Sequence, residues 1–447
     1  MKRTLQLLIL FKTLFLAGYI LFGPMRLGPD EAQYWTWSQD LSLGYYSKPP
    51  GIAYQIALGT SLFGNNEFGV RFGSLLIGIL MPFLIYRLAL GFKLSEKEAF
   101  WAAVIWAFSP LGFAGSVLAI TDIGMILFWT LALLALVEKW PMWQMGLMIA
   151  FGALFKWPIY IFWLFALPFV TWDRRLLGAL AISLLGLLPS VWWNYTHDFA
   201  TFRHVGATLQ GGSGVKAQGN FWEFIGAQAL LISPIFFYLL LLSYKEKRKE
   251  LSFAYLTTFL PLAVGAMLSM FMKVQGNWAI VAFPTAPLLI AHVGIKRPRW
   301  MKAGLILSLL LIGALFFFVP LKHNRDWDKL PAVLSQAGYD PKSNFLFSDK
   351  YQNTSLLSFY SPGQKRAYFF NLKNDRLNQY SFWHQMADRE KHQTGYYVSF
   401  EPSNPDLSPY FEKISPIETY PLSPKKNAFI QKAEAYNGNS PSPPPRY

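Results

Sequence analysis

Five ionisable positions stand out from an otherwise apolar chain: Asp30 and Glu31 side by side, Lys48 in a Lys-Pro-Pro turn, Asp122 just after Thr121, and Lys156 between two apolar runs. Lysines can hold a phosphate through charge-assisted hydrogen bonds, and a carboxylate can accept a proton from an attacking hydroxyl. The combination suits transfer of a group from a lipid-linked phosphate donor. Taken singly, each position has a plainer reading. Asp30 and Glu31 favour the first turn of a helix, as does Asp122. Lys48 can snorkel beside its Pro-Pro turn, and Lys156 can be an interfacial lysine. Tyr34, Trp35, Trp37, Tyr45 and Tyr46 read as a membrane-interface belt. Their convergence on one face favours chemistry, because ionisable residues near a bilayer are costly unless paired or serving a site.

The elements that would position them are membrane helices. Of 447 residues, 53% are hydrophobic and only 15% charged, against about 25% charged in soluble domains. A hydrocarbon core about 30 Å thick needs roughly 20 apolar residues in a helix. Eleven runs qualify as candidates: roughly 5–23, 68–90, 99–119, 121–137, 142–155, 157–172, 176–193, 222–243, 252–271, 276–294 and 302–320. The first is expected to stay as a span, since no small-residue cleavage site follows it. Basic strips such as Lys2-Arg3, Lys245 to Lys249 and Arg297 to Lys302 alternate with these runs and place the N-terminus inside. Asp30, Glu31, Lys48, Asp122 and Lys156 then all reach the outer face, and both lysines are expected at a wet interface. The net charge of +15 is largely this topology signal, not a nucleic-acid surface, which would need clustered basic residues on a soluble face. Without cysteine there is no disulfide framework and no thiolate metal site, and His197 and His204 show no metal-ligand spacing. No obligatory metal or other cofactor is expected, although a divalent ion bridging carboxylate and phosphate is compatible with the residues.

Residues 1–320 are thus read as the membrane-embedded catalytic domain, with the first outer loop, 24–67, carrying the site. Residues 321–430 form a small soluble α/β domain outside, in which "WDKLPAVLSQAG" has helical spacing and "NFLFS", "RAYFFN", "GYYVSF" and "NAFIQKAEAY" read as strands. Residues 431–447 are read as a tail whose Pro/Ser-rich end, "NGNSPSPPPRY", is expected to be disordered.

The stretch "DEAQYWTWSQDLSLGYYSKPPGIAYQIALGTSLFGNNEFGVRFGSLLIG" resembles the first outer loop and second span of bacterial glycosyltransferases related to protein O-mannosyltransferases, in the GT-C superfamily. The likeness continues through "AITDIGMILFWTLALLAL", "GALFKWPIYIF", "PSVWWNYTHDFATFRH" and "GNWAIVAFPTAPLLIA", and into "SDKYQNTSLLSFYSPGQ" and "NDRLNQYSFW". Each motif is short, but together they run along nearly the whole chain. The resemblance implies an integral membrane enzyme that takes a sugar from a polyprenyl-phosphate donor and transfers it with inversion outside the cytoplasmic membrane. It makes Asp30 the general base, with Glu31 supporting it. It places Lys48, Asp122 and Lys156, with Tyr45 and Tyr46, at the donor phosphate and sugar. Arg203, His204, Lys273 and Gln275 fall on the same face as possible contacts, on position alone. Where many members have His-Pro-Pro, this chain has Lys48-Pro49-Pro50, as in the aminoarabinose transferases that modify lipid A. That points to lipid A or another envelope glycolipid as acceptor, with protein O-glycosylation as the alternative. A transporter or flippase is the rival of another class, but it would favour polar groups at mid-depth and internal repeats. A non-catalytic anchoring protein is the other.

Overall fold

The computed structural model describes residues 1–209, 218–318, 325–424 and 426–441. The chain divides into two compact units. One comprises Met1–Gly23, Pro49–Trp193 and Leu209–Val319, and the other Pro24–Lys48, Asn194–Thr208 and Pro320–Tyr447. The first half of the loop expected to belong to the membrane domain is therefore grouped with the C-terminal region.

The first unit is helical. Among the described residues, five helices are long and apolar enough to cross a bilayer: Lys2–Phe22, Glu67–Gly91, Arg174–Thr196, Lys249–Ser269 and Pro298–Phe317. Two further runs are broken. Phe221–Ile232 and Pro234–Glu246 meet at 98°, and Gly276–Ala282 and Ala286–Gly294 at 67°. In the first of these Pro234 follows Ser233, whose φ is +83°, and proline can neither donate the next helical hydrogen bond nor avoid the carbonyl four residues back. The expected span 99–119 is also interrupted: Glu96–Ala107 ends, and Ser109 caps a separate short helix, Pro110–Ala114, by accepting from Gly112 N–H. Thr121–Val137, Met142–Ala153 and Trp157–Phe169 are apolar but shorter than a bilayer crossing. A further apolar helix, Gly51–Phe63, lies in what was expected to be outer loop. The eleven hydropathic runs thus resolve into five long helices, two bent pairs and several shorter pieces, because hydropathy counts apolar residues and is blind to where the ladder breaks.

Two buried ionisable groups inside this unit have polar partners. Lys12 is buried and donates to Gly112 C=O at 3.1 Å and Ser116 Oγ at 2.9 Å. The equally buried Glu98 sits 2.8 Å from His292 Nδ1. Trp129, fully buried, packs edge-on against Phe162 and Phe165 at the centre of the apolar cluster.

The second unit is built on a six-stranded sheet of β1 (Asn344–Ser348), β2 (Tyr368–Phe369), β3 (Thr394–Ser399), β4 (Phe411–Ile414), β5 (Glu418–Ser423) and β6 (Lys426–Tyr436). The order is β2-β1-β3-β6-β4, with β5 also on β6; β1 runs parallel to β2 and β3, and β6 antiparallel to its three neighbours. The four stretches read as strands fall on β1, β2, β3 and β6 to within a residue or contain them, whereas β4, β5 and the helix Tyr351–Tyr360 carry no comparable sequence signal. The C-terminal sheet domain extends past residue 430, since residues 431–436 complete β6 and pair with β3 and β4. Residues 442–447 of the expected tail lie outside the described residues. Phe345, Phe347, Phe370, Tyr397, Phe411 and Tyr436 form an aromatic core on the sheet. The helix Pro29–Ser38 packs against Tyr351–Tyr360, with Trp35 edge-on to Phe359 at 4.9 Å and Leu27 N–H donating to the Tyr360 hydroxyl at 2.7 Å. Tyr34, Trp35, Trp37, Tyr45 and Tyr46, read from the sequence as a membrane-interface belt, are buried within the protein.

Candidate active site

In the second unit the site begins at a helix N-terminus. Gly28 is the cap, Pro29 supplies the fixed φ suited to the first helical position, and Asp30 and Glu31 follow in the first turn. The two acids are handled differently. Glu31 is buried, and its Oε2 accepts from Gly28 N–H at 3.0 Å, closing a capping interaction. Asp30 remains accessible to water, but the protein around it removes part of its hydration, which raises its pKa above the ordinary aspartate value. Lys48 pulls it back, Glu31 pushes it further up, and Arg376 pulls it down. A carboxylate that is accessible, flanked by cations and raised in pKa can accept a proton.

Lys48 is held by a tight turn. Tyr45 N–H donates to Lys48 C=O at 3.1 Å, and Lys48 N–H returns to Tyr45 C=O at 3.3 Å. Tyr45 itself is fully buried, stacked on Trp37 at 4.5 Å, with its hydroxyl donating to the carbonyls of Trp37 and Asp40. These contacts pin the turn that presents Lys48. Tyr46 is buried as well: its N–H donates to Gln379 Oε1 at 2.7 Å, and its ring lies 4.8 Å from that of His204 and 5.7 Å from Phe382. Thr201 Oγ1 donates to Tyr45 C=O, so the stretch bearing His204 is tied to the same turn.

His204 has its pKa lowered to about 4, first by burial and then by Arg376 and Lys48. It is therefore a neutral imidazole at pH 7. Arg376 and Tyr351 are the residues that sequence reasoning did not single out. Arg376 acts on Asp30 and His204 and hydrogen-bonds Tyr351, whose own pKa rises through burial and then the Asp30 charge. Both lie in the segments "SDKYQNTSLLSFYSPGQ" and "NDRLNQYSFW", quoted above for their likeness, but no spacing ties them to Asp30 more than 300 residues away.

Asp122 and Lys156 belong to the first unit. Lys156 Nζ donates to Asp122 Oδ1 at 2.7 Å, and Asn277 Nδ2 donates to Asp122 Oδ2 at 3.3 Å. Asp122 is in the first turn of Thr121–Val137, where the helix dipole favours an anion. Lys156 is an extended residue between Met142–Ala153 and the 3₁₀ turn Trp157–Tyr160. Gly124 allows the approach: a Cβ there would stand 2.2 Å from the Phe155 ring, so only glycine admits the turn preceding Lys156. The side chains of Asp122 and Lys156 are 7% and 18% exposed, so Lys156, expected at a wet interface, is instead half of a sheltered ion pair. Lys273 and Gln275 are exposed in the first unit, and Arg203 is exposed in the second. Among the described residues no group of three or more His, Asp or Glu side chains is placed to hold a metal ion.

A family model described as dolichyl-phosphate-mannose-protein mannosyltransferase matches residues 47–193, a range that includes Lys48, Asp122 and Lys156. The chain is 30% identical over 338 residues to the lipid A galacturonosyltransferase RgtD of Rhizobium johnstonii, covering 70% of each protein. It is 31% identical over 190 residues to an undecaprenyl phosphate-alpha-4-amino-4-deoxy-L-arabinose arabinosyl transferase of Pseudomonas aeruginosa, covering 36% of this chain and 34% of that one. In fold it is similar to ArnT from Cupriavidus metallidurans, whose crystal structure bound to undecaprenyl phosphate superposes with a TM-score of 0.64 at 12% identity, over 95% of this chain and 97% of that one.

Proposed function

This chain belongs to the GT-C superfamily of membrane glycosyltransferases, and on that premise we propose that it moves a sugar from a polyprenyl-phosphate donor to lipid A or a related envelope glycolipid, with inversion, on the outer side of the cytoplasmic membrane. The acceptor reading draws on the likeness to RgtD, and the donor reading on the undecaprenyl phosphate named for the arabinosyl transferase and for ArnT. The orientation rests on the basic strip Lys245 to Lys249, assigned to the cytoplasm, which puts the second unit outside.

The observation that carries the mechanism is a water-accessible Asp30 facing Lys48 and Arg376 within one unit. As the acceptor hydroxyl attacks the anomeric carbon, Asp30 takes its proton, and the bond from that carbon to the phosphate oxygen breaks. The departing polyprenyl phosphate gains charge at that moment, and fixed cations in a partly dehydrated site stabilise it. Lys48 and Arg376 have that role, while neutral His204 adds no competing positive charge. Glu31 positions Asp30 by holding the helix start. If the acceptor group is itself a phosphate, already ionised, Asp30 orients it instead.

The test is purified protein in lipid nanodiscs with a polyprenyl-phosphate sugar, galacturonic acid or aminoarabinose, and lipid A. Mass spectrometry should find donor consumed and lipid A heavier by one sugar residue. Modified envelope protein in place of lipid A would move the assignment to protein O-glycosylation. Donor crossing sealed vesicles without consumption would replace the enzyme by a transporter.

A further inference from the structure

The second unit carries a cleft of about 260 Å³ apart from Asp30 and its neighbours, lined by residues at the N-terminal ends of its parallel strands. It opens because β2 is only two residues long and pairs with Phe347 and Ser348, so no strand covers the start of β1 on that side. Four cations line it, Lys342, Lys365, Arg366 and Arg389, against one acid, Glu390. Glu390 is already engaged, accepting from the Tyr368 hydroxyl at 2.6 Å. Asp340, the other acid in reach of Lys342 and Lys365, has its oxygens taken by the Lys342 N–H and the Ser343 hydroxyl. Arg366 is held by Asp40 at 3.4 Å and lies over the Trp383 ring. Lys342, Lys365 and Arg389 take part in no ion pair among the described residues.

Gathering cations around a concavity costs repulsion that a bound anion relieves, and the concavity focuses the field on that anion. The volume suits one charged sugar or phosphate group and falls below the roughly 300–1,000 Å³ of pockets for larger ligands. We propose that this cleft binds a phosphate- or carboxylate-bearing saccharide, holding an anionic group of the acceptor. The identification of that saccharide with the acceptor rests on the glycolipid reading above; the anion site itself rests on the cleft.

The test uses the full chain in nanodiscs and three probes: bisphosphorylated lipid A, the same lipid after enzymatic dephosphorylation, and inorganic pyrophosphate. The variant Lys342→Gln/Lys365→Gln/Arg389→Gln removes three charges from exposed side chains, and Lys342→Arg/Lys365→Arg keeps charge as the folding control. Wild type should prefer the bisphosphorylated lipid, and the triple variant should lose affinity by roughly three- to a hundredfold, three exposed charge contacts being modest each. The arginine variant should bind as wild type. Pyrophosphate binding that disappears in the triple variant, without any preference between the two lipids, would support the anion site but give it to a free solute. Equal binding of every probe by wild type and triple variant overturns the inference. Donor consumption, measured in the same preparations, separates the two readings: its absence in wild type refutes the proposed function and leaves the anion site standing.

Discussion

Replacing Lys156 by Met should destabilise the protein, and a second replacement should restore part of the loss. The pair Lys156–Asp122 is 2.7 Å apart with little exposure on either side. At that separation, with an effective dielectric constant of about 20, the gross attraction is about 6 kcal/mol, most of it offset by the cost of dehydrating two charges. Lys156→Met leaves Asp122 sheltered from water with only Asn277 as partner, and breaking a buried pair in this way costs about 3–5 kcal/mol. Asp122→Asn is milder, about 1–3 kcal/mol, because Lys156 is the more exposed partner and can turn toward water. The double variant Asp122→Asn/Lys156→Met contains no stranded charge and should be more stable than Lys156→Met alone. The assay is denaturant unfolding in mixed micelles, followed by fluorescence of the 17 tryptophans, with donor binding measured on each folded variant. A Lys156→Met protein as stable as wild type would refute the reasoning. So would a double variant less stable than both singles.

Other outcomes follow from the second unit. Asp30→Asn, which keeps size but not proton acceptance, should lower turnover of a hydroxyl acceptor by roughly 10²–10⁴-fold while donor binding persists; near wild-type turnover would remove Asp30 as base. Because catalysis needs the ionised carboxylate and burial raises its pKa, the rate should fall on acidification at a pH above the ordinary aspartate value. Lys48→Met, which removes a cation favouring that carboxylate, should move this acid limb upward, and Glu31→Gln, which removes a repelling charge but keeps a capping oxygen, should move it downward; a pH–rate series that shifts the opposite way contradicts the arrangement. Replacing Lys48 or Arg376 by Met should weaken donor binding about ten- to a hundredfold, the range for a hydrogen bond to a charged group, as read by titration of the lipid-linked donor. For orientation, cysteines placed at the exposed Asn404 and Ser252 in this cysteine-free chain should differ, only the former reacting with an impermeant thiol reagent in cells with a permeabilised outer membrane.

Composition alone determined that this chain is a polytopic membrane protein with a polar C-terminal domain, since 53% apolar residues in long runs cannot be kept in water and the stretch after residue 320 lacks them. Short aromatic or alternating runs were enough to find β1, β3 and β6, and the acid pair at Asp30 and Glu31 was compatible with the helix start found there. The helix breaks at Ser233-Pro234 and Ser109-Pro110 were also written in the chain, but a hydropathy window averages over them. Tertiary structure decided what local pattern cannot carry. It separated Asp30 from Glu31 by burying one as a cap and leaving the other open to water. It gathered the aromatics of 34–46 into protein contacts in place of a lipid interface, and it made Asp122 and Lys156 partners across 34 residues of sequence. It also brought Arg376 to bear on Asp30 and His204. The charge environment of a carboxylate depends on distance in space, and a single sequence records distance only along the chain.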